Sequence, residues 1–387
     1  MLLRNLISVT DNISIDVLLE GGKITSVTKS GSQPTNASAE SISFHNAIIF
    51  PGLINSHDHL DFNLFPRLGN HVYSNYMEWG KDIHTTNKTV INKVLKTPKA
   101  LRTQWGIYKN LLNGITTVVN HGEYLNTDTD LINVIQNTQT LHSVGFEKNW
   151  KLKLNNPFSK IKLVNIHVGE GIDNISHKEI NQLLKWNILK RKLIGIHGVA
   201  MDAKQADSFN ALIWCPDSNM FLLNKTADIE QLKNHTKILF GTDSTLSARW
   251  NIFDHLQLAR SLHMASNSEI FNMLTINAAD IFDLHNTGSI KQGYVADLVI
   301  AKNKNNLQAM DAFFNIQPED ILIVIRNGDV KLFDEALFQK LSNSGLKMVG
   351  FAKVSLGVQS KYLKGNITAL ITEIRNHYPE ANIPITI

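Results

Sequence analysis

The sequence predicts an α/β protein, a (β/α)8 TIM barrel flanked by a small β-sandwich that both chain ends build. Three observations carry the prediction. First, from Ala47 onward apolar runs alternate with stretches of helical periodicity, as in AIIFPGLINS, GITTVVN, TQTLHSVG, IKLVNIHV, KLIGIHGV, NALIWCP and TKILFGTD. Strands apolar on both faces and separated by helices belong to a parallel sheet covered on each side. These seven runs are plain, and Trp150-Lys151-Leu152-Lys153-Leu154 is the candidate eighth strand that closes the barrel. Second, the two ends of the chain look alike: short alternating β runs lie around Gly21-Gly22-Lys23, and they return in GSIKQGYVADLVIAK and DILIVIRNGDVKLF. Third, histidine or aspartate stands where several of the apolar strands stop, as expected at the C-terminal rim of a barrel.

In chain order, residues 1–50 form β structure with a Ser/Asn/Gly/Pro-rich connector from Ser30 to Ser41, and residues 51–287 form the barrel, ending in the helix-like SEIFNMLTINAADIFDL. Residues 288–345 pair with 1–50 into one composite β-sandwich domain. Residues 346–387 are a C-terminal extension with a helix over Tyr362 to His377. At 387 residues with 43% hydrophobic content, the chain can fill a barrel core and an appended unit.

Composition excludes several classes of function. The 38 basic and 34 acidic residues are scattered rather than gathered into blocks, which argues against nucleic acid as a partner. No run approaches the roughly 18 apolar residues of a membrane span. A soluble, cytoplasmic protein with a small-molecule substrate is expected, and assembly as a homo-oligomer stays open. Cys215 is the only cysteine, so a metal must use imidazole and carboxylate. With no basic neighbour in sequence, Cys215 reads as a buried packing thiol.

The chemistry concentrates at strand ends. Pro51-Gly52-Leu53-Ile54-Asn55-Ser56-His57-Asp58-His59 is a buried strand ending in two histidines two positions apart. In a strand both would face the same way, their Cα atoms about 6 to 7 Å apart, which suits two ligands of one ion. Asp58 would point away, in a structural role. His167 ends IKLVNIH, His197 ends KLIGIH and Asp243 ends KILFGTD. His57, His59, His167 and Asp243 are the expected metal ligands. Imidazole and carboxylate suit one Zn²⁺ or Fe²⁺ ion, and this set leaves a position for water. Glu170, three residues after His167, is placed for general acid work.

These motifs, in this order, together with Cys215-Pro216-Asp217-Ser218-Asn219 and the tail Gly288 to Val299, resemble the amidohydrolase superfamily, in its branch of aminohydrolases and chlorohydrolases. The resemblance runs to about residue 345. It implies that Glu170 shuttles a proton, that Asp243 also accepts a proton from water, and that His197 orients the water or polarises the substrate. Hydrolytic attack on an sp² carbon of a small nitrogen heterocycle, with loss of ammonia, is the implied reaction.

Two further histidines, His121 after GITTVVN and His142 in TQTLHSVG, are candidate substrate contacts, the competing reading being ordinary hydrogen-bonded histidines. The segment from Leu60 to about Leu95 carries Phe62, Phe65, Arg67, Tyr73, Tyr76 and Trp79, an aromatic loop able to lie over a ring substrate. Within it Trp79 and Arg67 are candidate contacts, Arg67 and Arg249 being able to meet an anionic group. Two other functions stay open. One is a dinuclear cyclic-amide hydrolase, in which His167 and His197 bind a second ion and a carboxylated Lys151 or Lys153 bridges the pair. The other is a non-catalytic binding or scaffold protein on the same barrel.

Overall fold

The computed structural model describes residues 1–31, 41–127, 130–161 and 163–387. Most of the Ser30 to Ser41 connector therefore lies outside the described residues. The barrel strands are β1 (Leu53–Asp58), β2 (Ile115–Asn120), β3 (Asn133–Ile135), β4 (Gln139–Ser143), β5 (Leu163–Val168), β6 (Lys192–His197), β7 (Ala211–Trp214) and β8 (Lys237–Phe240). They form a three-stranded sheet, β1 to β3, and a five-stranded sheet, β4 to β8, with every ladder parallel. The residues after β8 join it to β1, since Asp243 N–H donates to His57 O at 3.0 Å and Thr242 N–H to Asn55 Oδ1 at 3.0 Å. Ile54, Val119, Ile135, Ile196, Ile213 and Leu239 pack into one buried cluster inside.

The apolar runs predict these strands because both faces are buried: Val164, Ile166 and Val168 turn outward into the main core while Asn165 and His167 take the alternate positions. The expectation fails at Trp150–Leu154. That segment is a short helix, with Trp150 and Leu154 buried and Leu152 75% exposed. Its apolar ends are four residues apart and meet the core on one helical face, so alternation misled. The missing strand segment is β3, which residues 136–138 join directly to β4. Among the described residues no helix lies between β2 and β4.

The helices used below are α1 (Tyr76–Thr86), α2 (Lys99–Leu112), α3 (Trp150–Leu154), α4 (Asn174–Trp186), α5 (Pro216–Leu223) and α6 (Ile367–His377). A second sheet of eleven strands flanks the barrel. It runs from Ile385–Thr386 through Phe351–Leu356, Gln359–Lys364, Asp329–Asp334, Ile321–Arg326, Leu298–Lys302, Ala47–Pro51, Leu2–Ser8 and Ser14–Glu20 to Lys23–Lys29, with Ser41–Ser43 beside Leu2–Ser8. Both chain ends thus meet in one sheet, and the tail adds three more strands than its sequence suggests. The helix expected from Tyr362 begins at Ile367, because Gln359–Lys364 completes a hairpin and Asn366 caps the helix by accepting from Ala369 N–H. Helix α6 then packs on α2, and every residue of α2 from Arg102 onward except Gln104 is buried. None of the described helices is long and apolar enough to cross a membrane.

One glycine carries the chain from the sheet into the barrel. Strand Ala47–Pro51 pairs with Leu298–Lys302, Gly52 N–H donates to Asp297 O at 2.8 Å, and β1 begins at the next residue. A side chain at 52 would come within 2.2 Å of Thr116 Oγ1. The start of β1, and with it the level of His57 and His59, is fixed by this close approach.

Candidate metal centre and active site

His57 and His59 stand at the end of β1, and the ladder to β2 shifts register twice along this strand. Such bulges re-aim side chains at a barrel rim. Asp58 points the other way, as the two-residue period requires. Its carboxylate is fully buried and takes Asn63 Nδ2 at 2.8 Å, Asn110 Nδ2 at 2.8 Å and Lys109 Nζ at 3.1 Å. Lys109, buried in α2, also donates to Thr242 Oγ1 at 3.3 Å, and that hydroxyl donates to Asp243 O at 2.9 Å. A buried polar network thus ties the His57-Asp58-His59 segment to the Asp243 segment from behind. Gly241 permits the approach: a Cβ there would lie 2.7 Å from His57 Cβ.

His167 ends on β5, one residue before the strand stops, and its Nδ1–H donates to His142 O at 2.7 Å. Its Nε2 is left facing His57 Nε2 at 3.3 Å. Burial, then the neighbouring imidazoles, hold His57 and His167 well below the ordinary histidine range. With its own proton on Nδ1, His167 leaves Nε2 as a bare lone pair beside His57, free to bind a cation. His197 and Asp243 both adopt positive φ, 72° and 58°, a backbone region non-glycine residues enter at a cost. These turns redirect both side chains where β6 and β8 end.

His197 Nδ1–H donates to Asn219 Oδ1 at 2.8 Å, and its Nε2 lies 3.6 Å from Glu170 Oε1. Asp243 Oδ2 accepts from Ser218 Oγ at 2.9 Å and Ser247 Oγ at 2.7 Å, while Oδ1 faces His57 Nε2 at 3.7 Å and His59 Nε2 at 3.8 Å. Burial would raise its pKa, but His59, His197 and these hydrogen bonds outweigh it and hold the carboxyl below its ordinary value. Glu170 is the opposite case. Burial, then Asp243 and Glu179, push it well above the carboxylate range.

Two donor sets lie close enough to hold an ion, His57 with His167 and His197, and His57 with His59 and Asp243, each within 4.8 Å. Imidazoles and a carboxylate form a donor set that fits Zn²⁺ or Fe²⁺. His142 O orients the His167 ring, Asn219 that of His197, and Ser218 and Ser247 the Asp243 carboxylate. The sequence displayed Ser218 and Asn219 in Cys215 to Asn219 without showing what they touch, and nothing in it marked Ser247 or Lys109.

A cavity of about 680 Å³ opens over this centre, lined by His59, His142, His167, Glu170, His197 and Asp243 below and by Phe62, Tyr76, Trp79, Ile83, Phe146 and Leu246 around. Trp79 Nε1 donates to Leu68 O at 2.7 Å, so its ring alone meets the cavity. Of the four candidate substrate contacts, Trp79 and His142 line the cavity while His121 and Arg67 do not. His121 is buried beside the rings of His57, His59 and His167. Arg67 is exposed and stacks on Phe221 at 4.5 Å, because buried Phe65 and Leu68 on either side turn it outward. Arg249 is bound to Asp217, with its Nε at 2.8 Å from Oδ1. Lys151 and Lys153 sit on the outer helix α3, over Trp186 and against Glu147, away from the cavity. Neither is placed to bridge two ions.

The cavity wall is tied to the acid. Tyr76 N–H donates to Glu170 O at 3.0 Å, Ile172 N–H to Ser74 O at 2.8 Å and Asn75 Nδ2 to Asp173 Oδ2 at 2.6 Å. Beneath them, Glu179 on α4 accepts from Gly169 N–H at 2.9 Å and Tyr76 OH at 3.1 Å.

Residues 159–331 match the amidohydrolase family. Likeness to single proteins extends beyond that stretch. A 5-methylthioadenosine/S-adenosylhomocysteine deaminase of Caldicellulosiruptor saccharolyticus is 25% identical over 83% of this chain and 89% of its own. A 5'-deoxyadenosine deaminase of Methanococcus aeolicus is 23% identical over 86% of this chain and 96% of its own. The solved structure of an adenosine deaminase from Xanthomonas campestris with bound zinc superposes with a TM-score of 0.73 over 98% of each chain at 15% identity. That last likeness shows a shared fold.

Proposed function

We propose that this chain hydrolytically deaminates a nitrogen heterocycle, at a centre where His57, His59, His167 and Asp243 hold one Zn²⁺ or Fe²⁺ ion. The observation that carries the reading is the buried Glu170, pushed above its ordinary pKa, facing the same cavity as the imidazoles and as Asp243, which is held below its own. Two carboxyl groups pushed in opposite directions in one site are an acid and a base. A bound ion of this kind lowers the pKa of a coordinated water to near 7 and so supplies a nucleophile at neutral pH.

Asp243, steadied by Ser218 and Ser247, takes the proton that attack releases. Glu170 gives its proton to the departing nitrogen, and His197, oriented by Asn219, polarises the attacked ring beside it. Phe62, Tyr76, Trp79 and Phe146 exclude water and offer ring faces to a flat substrate. The cavity volume lies within the range of sites that enclose small organic ligands. Adenine nucleosides come first among the candidates, on the names of the relatives.

The test measures metal per subunit in protein purified without added metal, with His57→Ala as control, and ammonia release from adenine nucleosides, guanine and cytosine. About one equivalent lost in the variant, with ammonia from one of these rings, is expected. No metal uptake by the wild type even after addition would refute the assignment.

A further inference from the structure

We propose that Glu179 is a positioning residue for Glu170, one carboxyl that ties the loop carrying the acid to the cavity wall. The inference rests on the reading of Glu170 as the acid. The Glu170 carboxyl takes no hydrogen bond from the described residues, and His197 Nε2, which faces it, lies 3.6 Å away, beyond hydrogen-bond reach. Its place is therefore set by the backbone beneath it, and misplacing a reacting group by about 1 Å can cost about 100-fold in rate. That backbone is held one residue earlier. Gly169 N–H donates to Glu179 Oε1 at 2.9 Å, and Tyr76 OH donates to Glu179 Oε2 at 3.1 Å. Tyr76 N–H in turn donates to Glu170 O at 3.0 Å. The bonds close a circuit from Glu170 through Gly169, Glu179 and Tyr76 back to Glu170.

Two glycines let the circuit form. Tyr76 OH also accepts from Gly145 N–H at 3.1 Å, in the loop after β4, and a Cβ at Gly145 would stand 2.4 Å from that hydroxyl. Gly169 has a φ of 56°, in the left-handed region, and a Cβ there would lie 2.7 Å from Ile180 Cδ1, next to Glu179 on α4. Glu179 itself is 5% exposed, does not line the cavity and belongs to neither donor set that could hold an ion. Taking a carboxyl out of water is costly unless its bonds are met. Here one oxygen binds the segment that carries the acid and the other binds the wall of the same cavity. The carboxyl therefore works through the groups it holds.

A double-mutant cycle with Glu170→Gln separates positioning from a general loss of stability. The zinc-loaded proteins are assayed for ammonia release from adenine nucleosides, guanine and cytosine. Glu179→Leu is expected to lower kcat at least about 10-fold with KM within about 2-fold of wild type. Glu179→Gln, which keeps an acceptor for Gly169 N–H, should restore most of that rate. In a Glu170→Gln background the Glu179→Leu change should cost less than about 2-fold, because the group it positions is gone. Amide hydrogen exchange of the metal-free proteins is expected to quicken over residues 168–172 in Glu179→Leu and to match wild type in Glu179→Gln. If Glu179→Leu does not fold, Tyr76→Phe opens the same circuit and takes its place in both measurements. Additive losses, a wild-type kcat or unchanged exchange would overturn the proposal and leave the proposed function standing. A wild-type kcat in Glu170→Gln, or no ammonia from any of these rings, would remove both.

Discussion

Lys109→Met tests the network behind the metal centre. Asp58 and Lys109 are 0% and 1% exposed, and their charged atoms lie 3.1 Å apart. At that separation and an effective dielectric of about 20, their attraction is about 5 kcal/mol. The variant leaves Asp58 charged and buried with only the Asn63 and Asn110 amides, and strips one donor from Thr242. Those amides offset part of the loss, so a destabilisation of about 3 to 4 kcal/mol is expected, within the range for breaking a buried pair. The double variant Asp58→Asn with Lys109→Met carries no orphaned charge and is expected to lie at least about 2 kcal/mol closer to wild type than the two single costs added. Urea unfolding of the metal-free proteins gives all four corners of the cycle. A single Lys109→Met cost below about 1 kcal/mol, or additive single costs, would show that the pair does not hold the two ligand segments together.

Three further outcomes follow from the site. Glu170→Gln is expected to retain its metal but lose about 10²- to 10⁴-fold in kcat for ammonia release; loss of metal together with rate would make Glu170 a ligand instead. Ser218→Ala removes one of the two hydroxyls on Asp243 Oδ2 and is expected to weaken metal affinity or activity about 10- to 100-fold, read by chelator competition and by turnover; unchanged values of both would refute its orienting role. Burial raises Glu179 to about 7 from an ordinary 4.5, so the folded state holds its proton more tightly than the unfolded state does. Wild-type stability therefore falls as pH rises from 4.5 through 7, whereas Glu179→Gln, neutral throughout, should gain on wild type over that window by up to about 3 kcal/mol. Urea midpoints at both ends of the window measure this, and a pH-independent difference would contradict it.

Much of the site is legible in the sequence because the carriers of the chemistry sit where strands end. A strand's two-residue period places His57 with His59 and sends Asp58 the other way, and apolar runs announce β5, β6 and β8 just before His167, His197 and Asp243. What the sequence hides depends on contacts between distant segments. Trp150 to Leu154 alternates like a strand, yet its two buried residues meet the core on one helical face. Segment Asn133–Ile135, three residues long, is too short to announce itself. Lys109 looks like any lysine in an amphipathic helix until α2 is covered by both the barrel and α6. Arg67 and His121 show the same limit: proximity in sequence to the rim does not decide which side of the rim a residue occupies.

The stitching of α1 to the Glu170 loop has a mechanical meaning. The helix that walls the cavity starts on bonds to the segment that carries the acid, so it cannot lift at that end without carrying Glu170 along. The far end of the helix, around His84 and Thr85, also borders the cavity. Changes in the length of the 60–95 segment would be felt in turnover as well as in which rings are admitted, and a chain remodelled there for a new substrate would need its acid repositioned in the same step.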